Sequence, residues 1–211
     1  MKYDLAIIGG GISGLSTAIL CAKQGWKVAV FEKDEYPKHK VCGEYISNES
    51  REFLTNLGLP IDEMNLPSIS TFVLTTQYGT SSSCTLETGG FGLSRYAFDK
   101  LLATEAQQLG VSLFQNTRIK SIDGTAETGF NITDTRGESY HSRLVVGAWG
   151  RSNALDHSKP ITNTEAWVGI KYHVEKGPDT DTIEIHAFED GYCGISEVED
   201  GKFCLCYLAK A

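Results

Sequence analysis

The stretch from residue 4 to residue 32 constrains the fold most, because a complete set of local elements follows in order. Residues 5–8 are a short apolar run, which is typical of a strand buried on both faces. The glycine-rich residues 9–14 come next and fit the pattern G-x-G-x-x-G. Apolar residues then recur at helical spacing, Gly25 ends the helix, and residues 28–31 form a second apolar strand. This order predicts a βαβ unit.

Each part of the unit has a physical task in binding a dinucleotide. Gly9 turns the chain, Gly11 lets a pyrophosphate approach the backbone, and Gly14 lets the helix pack against the strand. The helix N-terminus attracts phosphate charge. Glu32, 18 residues after Gly14, ends the second strand and can accept hydrogen bonds from both ribose hydroxyls. Dinucleotide binding is therefore predicted, with a purely structural βαβ unit as the alternative.

Composition narrows the class of protein. The chain has 211 residues and a net charge of −8, which argues against nucleic acid or an anionic membrane as a partner. Its six cysteines form no C-x-x-C pair, so we interpret them as reduced thiols of a cytoplasmic protein. No run of about 20 apolar residues exists, and we expect no stable membrane insertion. The five histidines suggest no metal cluster.

The remaining pattern predicts two further helices, at residues 49–57 and 94–109, and a third parallel strand at 111–114. Residues 143–148 are predicted to return as a buried strand, and residues 155–164 as a linker. Two strands outside the dinucleotide core are expected at 71–75 and 83–86. Antiparallel strands are expected in two groups: 119–122, 130–133 and 138–140; and 166–174, 182–188, 192–198 and 202–208.

Three later motifs carry a family resemblance. The segment K-V-C-G-E-Y-I-S at residues 40–47 resembles the C-G-E loop of the geranylgeranyl reductase family, whose members share the para-hydroxybenzoate hydroxylase fold. Residues 92–99 resemble that superfamily's R-x-x-F/L-D helix start, and residues 147–152 its G-A-D-G-x-x-S segment. The chain thus resembles the N-terminal portion of an FAD-dependent oxidoreductase of this superfamily.

The resemblance implies an α/β fold in which a Rossmann-like FAD-binding domain with a ββα-type core is joined to an antiparallel sheet that binds substrate. It implies domains at 1–154, with inserted strands near 69–88, and at 155–211. Ser13 and Gly14 would lie under the pyrophosphate, Cys42 and Gly43 near the flavin ring, and Ile119 behind the adenine. The implied cofactor-binding residues are Gly9, Gly11, Ser13, Gly14, Glu32, Lys33, Cys42, Gly43, Arg95, Ile119, Gly147 and Gly150.

Three departures from the family pattern qualify this implication. Tyr45 replaces a common glycine, and Trp149 replaces the usual aspartate. The family's later G-D segment is missing, so we expect a C-terminal truncation that weakens FAD binding. Apolar side chains of the substrate sheet would then lack cover and promote oligomers; these are Trp167, Ile170, Ile183 and Ile185.

The function expected from these observations is oxidoreduction of a lipophilic or aromatic small molecule, by a reductase or a monooxygenase reaction. FAD carries the chemistry, and NAD(P)H is a candidate reductant. No side chain is predicted as a general acid or base. Two alternatives remain: a non-catalytic or incomplete flavoprotein fragment, and an NAD-binding dehydrogenase domain.

Overall fold

A computed structural model describes residues 2–150, 155 and 166–211. The chain divides into two compact units. Unit 1 comprises Met1–Lys38 and Asp99–Ile161, and unit 2 comprises His39–Phe98 and Thr162–Ala211. The boundary predicted at residues 154 and 155 falls where most residues are not described, and so does nearly all of the linker predicted at 155–164.

Unit 1 contains a six-stranded sheet in the order β6-β2-β1-β9-β8-β7. Its first four strands are parallel and its last two are antiparallel, as the sequence pattern predicted. The strands of this sheet are β1 (Lys2–Ile8), β2 (Val28–Phe31), β6 (Ser112–Phe114), β7 (Ile119–Thr125), β8 (Gly129–Asp134) and β9 (Ser139–Gly147).

Helix α1 (Ile12–Lys23) follows β1 after the three glycines at residues 9–11 and packs its buried small and branched side chains towards the sheet. Gln24 caps its C-terminus, and Gly25 has a φ of 80°, the left-handed conformation that glycine adopts after a helix. The βαβ unit predicted from the sequence is therefore confirmed, and β2 is buried along its whole length.

Unit 2 contains a seven-stranded sheet in the order β10-β13-β12-β11-β4-β5-β3. The four strands nearest the C-terminus pair antiparallel with one another, as predicted. The strands of this sheet are β3 (Tyr45–Ser47), β4 (Ser68–Thr76), β5 (Ser81–Gly92), β10 (Trp167–Val174), β11 (Thr182–Phe188), β12 (Gly191–Glu197) and β13 (Phe203–Lys210).

The sequence placed the strand pair β4 and β5 within the first domain as an insertion. In the structure β4 pairs parallel with β11, so this hairpin extends the sheet of unit 2. The partner of β4 lies more than 100 residues away, and no local pattern indicates such a pairing.

Two predicted elements differ in detail. The helix expected at 49–57 is a single 3-10 turn, Asn48–Ser50, followed by α2 (Arg51–Asn56). The strands expected at 138–140 and 143–148 are one continuous β9, in which Leu144 is 43% exposed rather than buried.

Helix α3 (Arg95–Gln108) forms as predicted, and the Ala97 N–H donates to the Ser94 hydroxyl as a cap. Among the described residues, no helix has the length and hydropathy to cross a membrane.

Candidate functional site

Three glycines of the β1–α1 stretch, Gly9, Gly10 and Gly14, are tightly packed, whereas Gly11 is open. Gly9 has a φ of 110°, and a Cβ there would collide with the backbone of Ala148. A Cβ on Gly14 would collide with the carbonyl oxygen of Gly9. A Cβ on Gly11, in contrast, would meet no atom within 4 Å. Gly9 and Gly14 therefore serve packing, and the space in front of Gly11 is free for a ligand.

The N-terminus of α1 faces this open position without a capping side chain. Gly11 is its N-cap residue in an extended conformation, and the first turn holds no acidic residue. The turn lies at the carboxyl ends of the neighbouring parallel strands β1 and β9, where the Ala148 N–H donates to Ile8 O at 2.8 Å. Free N–H groups and the helix dipole at such a point suit a phosphate group.

Glu32 follows β2 and is buried, with 4% of its surface exposed. Its Oε2 accepts a hydrogen bond from the Gly10 N–H at 2.8 Å. Its Oε1 accepts from the Asp34 N–H at 3.0 Å and from Lys38 Nζ at 2.6 Å. The carboxylate predicted to hold the ribose thus also fixes the glycine turn and the segment after β2.

Two side chains of the polar segment after Glu32 contact this region. Lys38 has a side chain only 11% exposed and pairs with Glu32. The Tyr36 hydroxyl donates a hydrogen bond to the Gly10 carbonyl. Burial, together with the negative charges of Glu32 and Asp99, raises the pKa of Tyr36, so its hydroxyl remains a donor.

Four other predicted residues of unit 1 have different surroundings. Ser13 and Lys33 are exposed. Ile119 is 7% exposed and packs in the core cluster that contains Phe31. Gly150 has a φ of 69°, and a Cβ there would meet no atom within 4 Å.

Trp149 gives Gly147 a structural reason to be glycine. A Cβ on Gly147 would collide with the Trp149 ring, which packs against the core of unit 1. The aromatic ring that replaces the usual aspartate is thus accommodated by the neighbouring glycine.

The geometry of unit 1 fits the adenosine diphosphate half of FAD. The open space at Gly11 suits the pyrophosphate, the uncapped helix supplies donors, and Glu32 stands at the end of the adjacent strand.

In unit 2 the predicted residues cluster around a carboxylate to which the sequence argument gave no role. Glu44 is 2% exposed and has a φ of 59°, an uncommon conformation for a residue with a side chain. Its Oε1 accepts from the Arg95 N–H at 2.7 Å and from Lys171 Nζ at 2.6 Å. Its Oε2 lies 2.6 Å from His173 Nε2. Gly43 is exposed beside it.

Burial raises the pKa of Glu44, but the hydrogen bonds from His173, Lys171 and the Arg95 backbone outweigh that effect, so the net pKa is lowered. The carboxylate is therefore ionised at neutral pH. Burial and the charge of Glu44 raise the pKa of the nearby Cys204 thiol. That thiol donates to the carbonyl of the half-buried Cys42 at 3.3 Å.

Strand register explains why these groups meet. Lys171 and His173 alternate on β10 and so point to one face of the sheet. His173 lies opposite Cys204 on β13, and Lys171 lies opposite Cys206. The only sequence signal was the alternation of polar residues in K-Y-H and C-L-C, which does not reveal that the strands are partners or that Glu44 covers them.

A family model for FAD-dependent oxidoreductases matches residues 4–41, which covers the βαβ unit and the segment after it. Conditioned medium factor receptor 1 of Dictyostelium discoideum is 26% identical over 98% of this chain and 45% of its own length. A 1H-pyrrole-2-carbonyl-(peptidyl-carrier protein) brominase of Pseudoalteromonas luteoviolacea is 27% identical over 90% of this chain and 56% of its own.

A digeranylgeranylglycerophospholipid reductase of Sulfolobus acidocaldarius is 27% identical over 76% of this chain and 36% of its own length. Among solved structures, a flavoprotein/dehydrogenase of Cytophaga hutchinsonii superposes with a TM-score of 0.81 at 19% identity, over 100% of this chain and 56% of its own. The chain thus spans about half the length of these proteins.

The fold and these similarities confirm the resemblance drawn from the motifs. The chain has the mixed α/β fold of FAD-dependent flavoproteins, and it resembles FAD-dependent oxidoreductases that include geranylgeranyl reductases and halogenases.

Proposed function

We propose that this chain binds FAD and contributes to an oxidoreductase that acts on a lipophilic or aromatic small molecule. The observation that carries the proposal is the open space at Gly11, in front of an uncapped helix and close to a buried glutamate. A structural βαβ unit has no need of such an open position.

The residues of unit 1 would act on the adenosine half of the cofactor. The first N–H groups of α1 donate to the pyrophosphate. A carboxylate has about four acceptor positions, and in Glu32 the Gly10 N–H, the Asp34 N–H and Lys38 occupy three of them. One ribose hydroxyl therefore takes the remaining position, and a second one requires that Lys38 move.

FAD supplies hydride transfer or oxygen activation when it is bound. The substrate class rests on the similarity to a protein named as a lipid reductase and to one named as a brominase of a pyrrole group. We retain both the reductase and the monooxygenase reaction; the relatives that match the chain include a protein named as a reductase and proteins named as halogenating enzymes. We further propose a cytoplasmic location, with NAD(P)H as the reductant.

A titration of the purified chain with FAD and with NAD⁺ tests the proposal. Flavin fluorescence and visible absorbance report FAD binding, and we expect saturable binding of FAD that is tighter than that of NAD⁺. Gly11→Ala fits the apo structure without a clash, but its methyl group fills the ligand space. We expect this variant to bind FAD at least about tenfold more weakly, a loss of about 1.4 kcal/mol, with an unchanged melting temperature.

Gly14→Ala is the matched control. Its Cβ collides with Gly9 O, so it should lower the melting temperature, which Gly11→Ala should not do. If FAD binds the wild type and Gly11→Ala equally, the ligand is not held at this turn. Tighter binding of NAD⁺ than of FAD would instead favour the dehydrogenase alternative.

A further inference from the structure

A row of three side chains crosses the sheet of unit 2 on the face that Glu44 covers. His173 on β10 lies opposite Cys204 on β13, and Cys204 in turn lies opposite Ser196 on β12. Directly opposed residues in antiparallel strands have Cβ atoms about 4.5–5.5 Å apart. The row therefore brings an imidazole, a thiol and a hydroxyl together on a rigid surface.

The ligand atoms of Glu44, His173 and Cys204 all lie within 4.8 Å of one another. One oxygen, one nitrogen and one sulfur make up a donor set that zinc and similar divalent cations take in proteins. We propose that Glu44, His173 and Cys204 form a binding site for a zinc-class divalent cation. The residues of this site all belong to unit 2, and the proposal does not depend on the proposed flavin function.

The surrounding groups orient the first of these ligands. The Arg95 N–H and Lys171 Nζ both bind Oε1 of Glu44, which leaves Oε2 directed towards His173. Carboxylates that bind metals are commonly held by such outer hydrogen bonds. Glu44 thus combines an uncommon backbone conformation with an Oε2 atom that is held pointing towards His173.

Ser196 supplies an independent observation. Its side chain is fully buried, and among the residues the structure describes its Oγ has no hydrogen-bond partner. Buried polar atoms are nearly always partnered, by protein or by water. Three protein ligands leave a fourth tetrahedral position for water, and a water there would give Ser196 Oγ the partner it lacks.

Proton and charge balance set conditions on binding. The cation replaces the hydrogen of the Cys204 thiol, so binding releases that proton, and His173 binds as a neutral imidazole through Nε2 with its hydrogen on Nδ1. Thiolate and carboxylate together carry two negative charges, which match a divalent cation. Lys171 adds a positive charge nearby and opposes the cation, so we expect moderate rather than very tight affinity.

Cobalt(II) titration of the FAD-free chain tests the site, because a thiolate bound to Co²⁺ gives a charge-transfer band in the near ultraviolet. The wild type should develop this band with one equivalent bound, and Zn²⁺ should abolish it by competition. Cys204→Ser should lose the band. Cys206→Ser is the matched control, since Cys206 is on the same strand and face, and it should keep the band.

His173→Gln and Glu44→Gln should each weaken Co²⁺ binding by at least about 100-fold. Circular dichroism of every variant shows whether it is folded, and Cys204→Ala replaces Cys204→Ser if the latter fails to fold. The proposal is overturned if the wild type gives no band, or if the band disappears in Cys206→Ser and persists in Cys204→Ser. Either result would mean that Glu44, His173 and Cys204 form only a hydrogen-bonded cluster and bind no cation. Neither result depends on whether FAD binds.

Discussion

Glu32 in unit 1 and Glu44 in unit 2 are two buried glutamates with closely similar partners. Each accepts a hydrogen bond from a backbone N–H next to a helix start, that of Gly10 and that of Arg95. Each also has a lysine Nζ at 2.6 Å. Only Glu44 has a histidine on its second oxygen and a positive φ.

The two sites differ in how their partners are brought together. Lys38 follows Glu32 by six residues in the same segment, whereas Lys171 is 127 residues from Glu44 and comes from another strand. Glu32 thus fixes a local turn, while Glu44 ties a loop to the sheet of unit 2. A similar set of hydrogen bonds thus fixes a local glycine turn in unit 1 and joins segments distant in sequence in unit 2.

The largest expected effect is on stability, at Glu44. Glu44→Ala leaves the Lys171 ammonium, whose side chain is 6% exposed, without its buried partner. Breaking such a pair costs about 3–5 kcal/mol, which chemical denaturation would measure. The double variant Glu44→Ala/Lys171→Met should recover part of this loss. If Glu44→Ala alone costs less than about 1 kcal/mol, the pair contributes no more than an exposed one.

A smaller loss of stability is expected for Glu32→Ala. The substitution removes the acceptor for the Gly10 N–H and for Lys38. Lys38 keeps Asp34 as a second partner at 3.1 Å, so we expect about 1–3 kcal/mol. A loss as large as that of Glu44→Ala would show that the two glutamates contribute equally to the stability of the fold.

The smallest effect concerns Asp134, a buried acid that has an arginine rather than a lysine partner. Burial raises its pKa, but hydrogen bonds from the Arg136 side chain and from the backbone N–H groups of Glu138 and Arg136 lower it below its ordinary value. Because the folded pKa is depressed, this contribution to stability is complete above the unfolded pKa of about 3.9. It is lost as the pH falls through the folded pKa.

Asp134→Asn isolates this contribution. The variant should be less stable than the wild type near neutral pH, and the difference should shrink as the pH falls below the unfolded pKa of about 3.9. If the difference in stability between the variant and the wild type instead stays constant with pH, the effect comes from hydrogen-bond geometry and not from the ionisation of Asp134.

Features that depend on residues close together in the sequence could be predicted from it, and features that depend on distant residues could not. The βαβ unit and α3 were predicted because apolar spacing, the glycine turn and the Ser94 cap are local signals. The pairing of β4 with β11 and the meeting of Glu44 with His173 were not, since both depend on strand order. Lys38 was missed for another reason: a charged residue in a polar stretch is usually solvated, and only the structure shows its partner.

The apolar surface predicted on unit 2 is another feature that the sequence alone could not define. Trp167 and Ile170 are three positions apart on β10, so they point to opposite faces of the sheet and do not form one patch. Association through this sheet stays a prediction, because the sequence identified apolar strands but not which residues share a face.

Amide chemical-shift mapping of the isotope-labelled chain during FAD titration is the sharpest test of cofactor binding at the glycine turn. It reports where the cofactor binds as well as whether it binds, and it includes Cys42 and Gly43, whose predicted place near the flavin it would also examine. We expect the largest shifts on the amides of residues 9–14 and of the residues next to Glu32. Saturable FAD binding with unchanged amides in that turn would contradict this expectation.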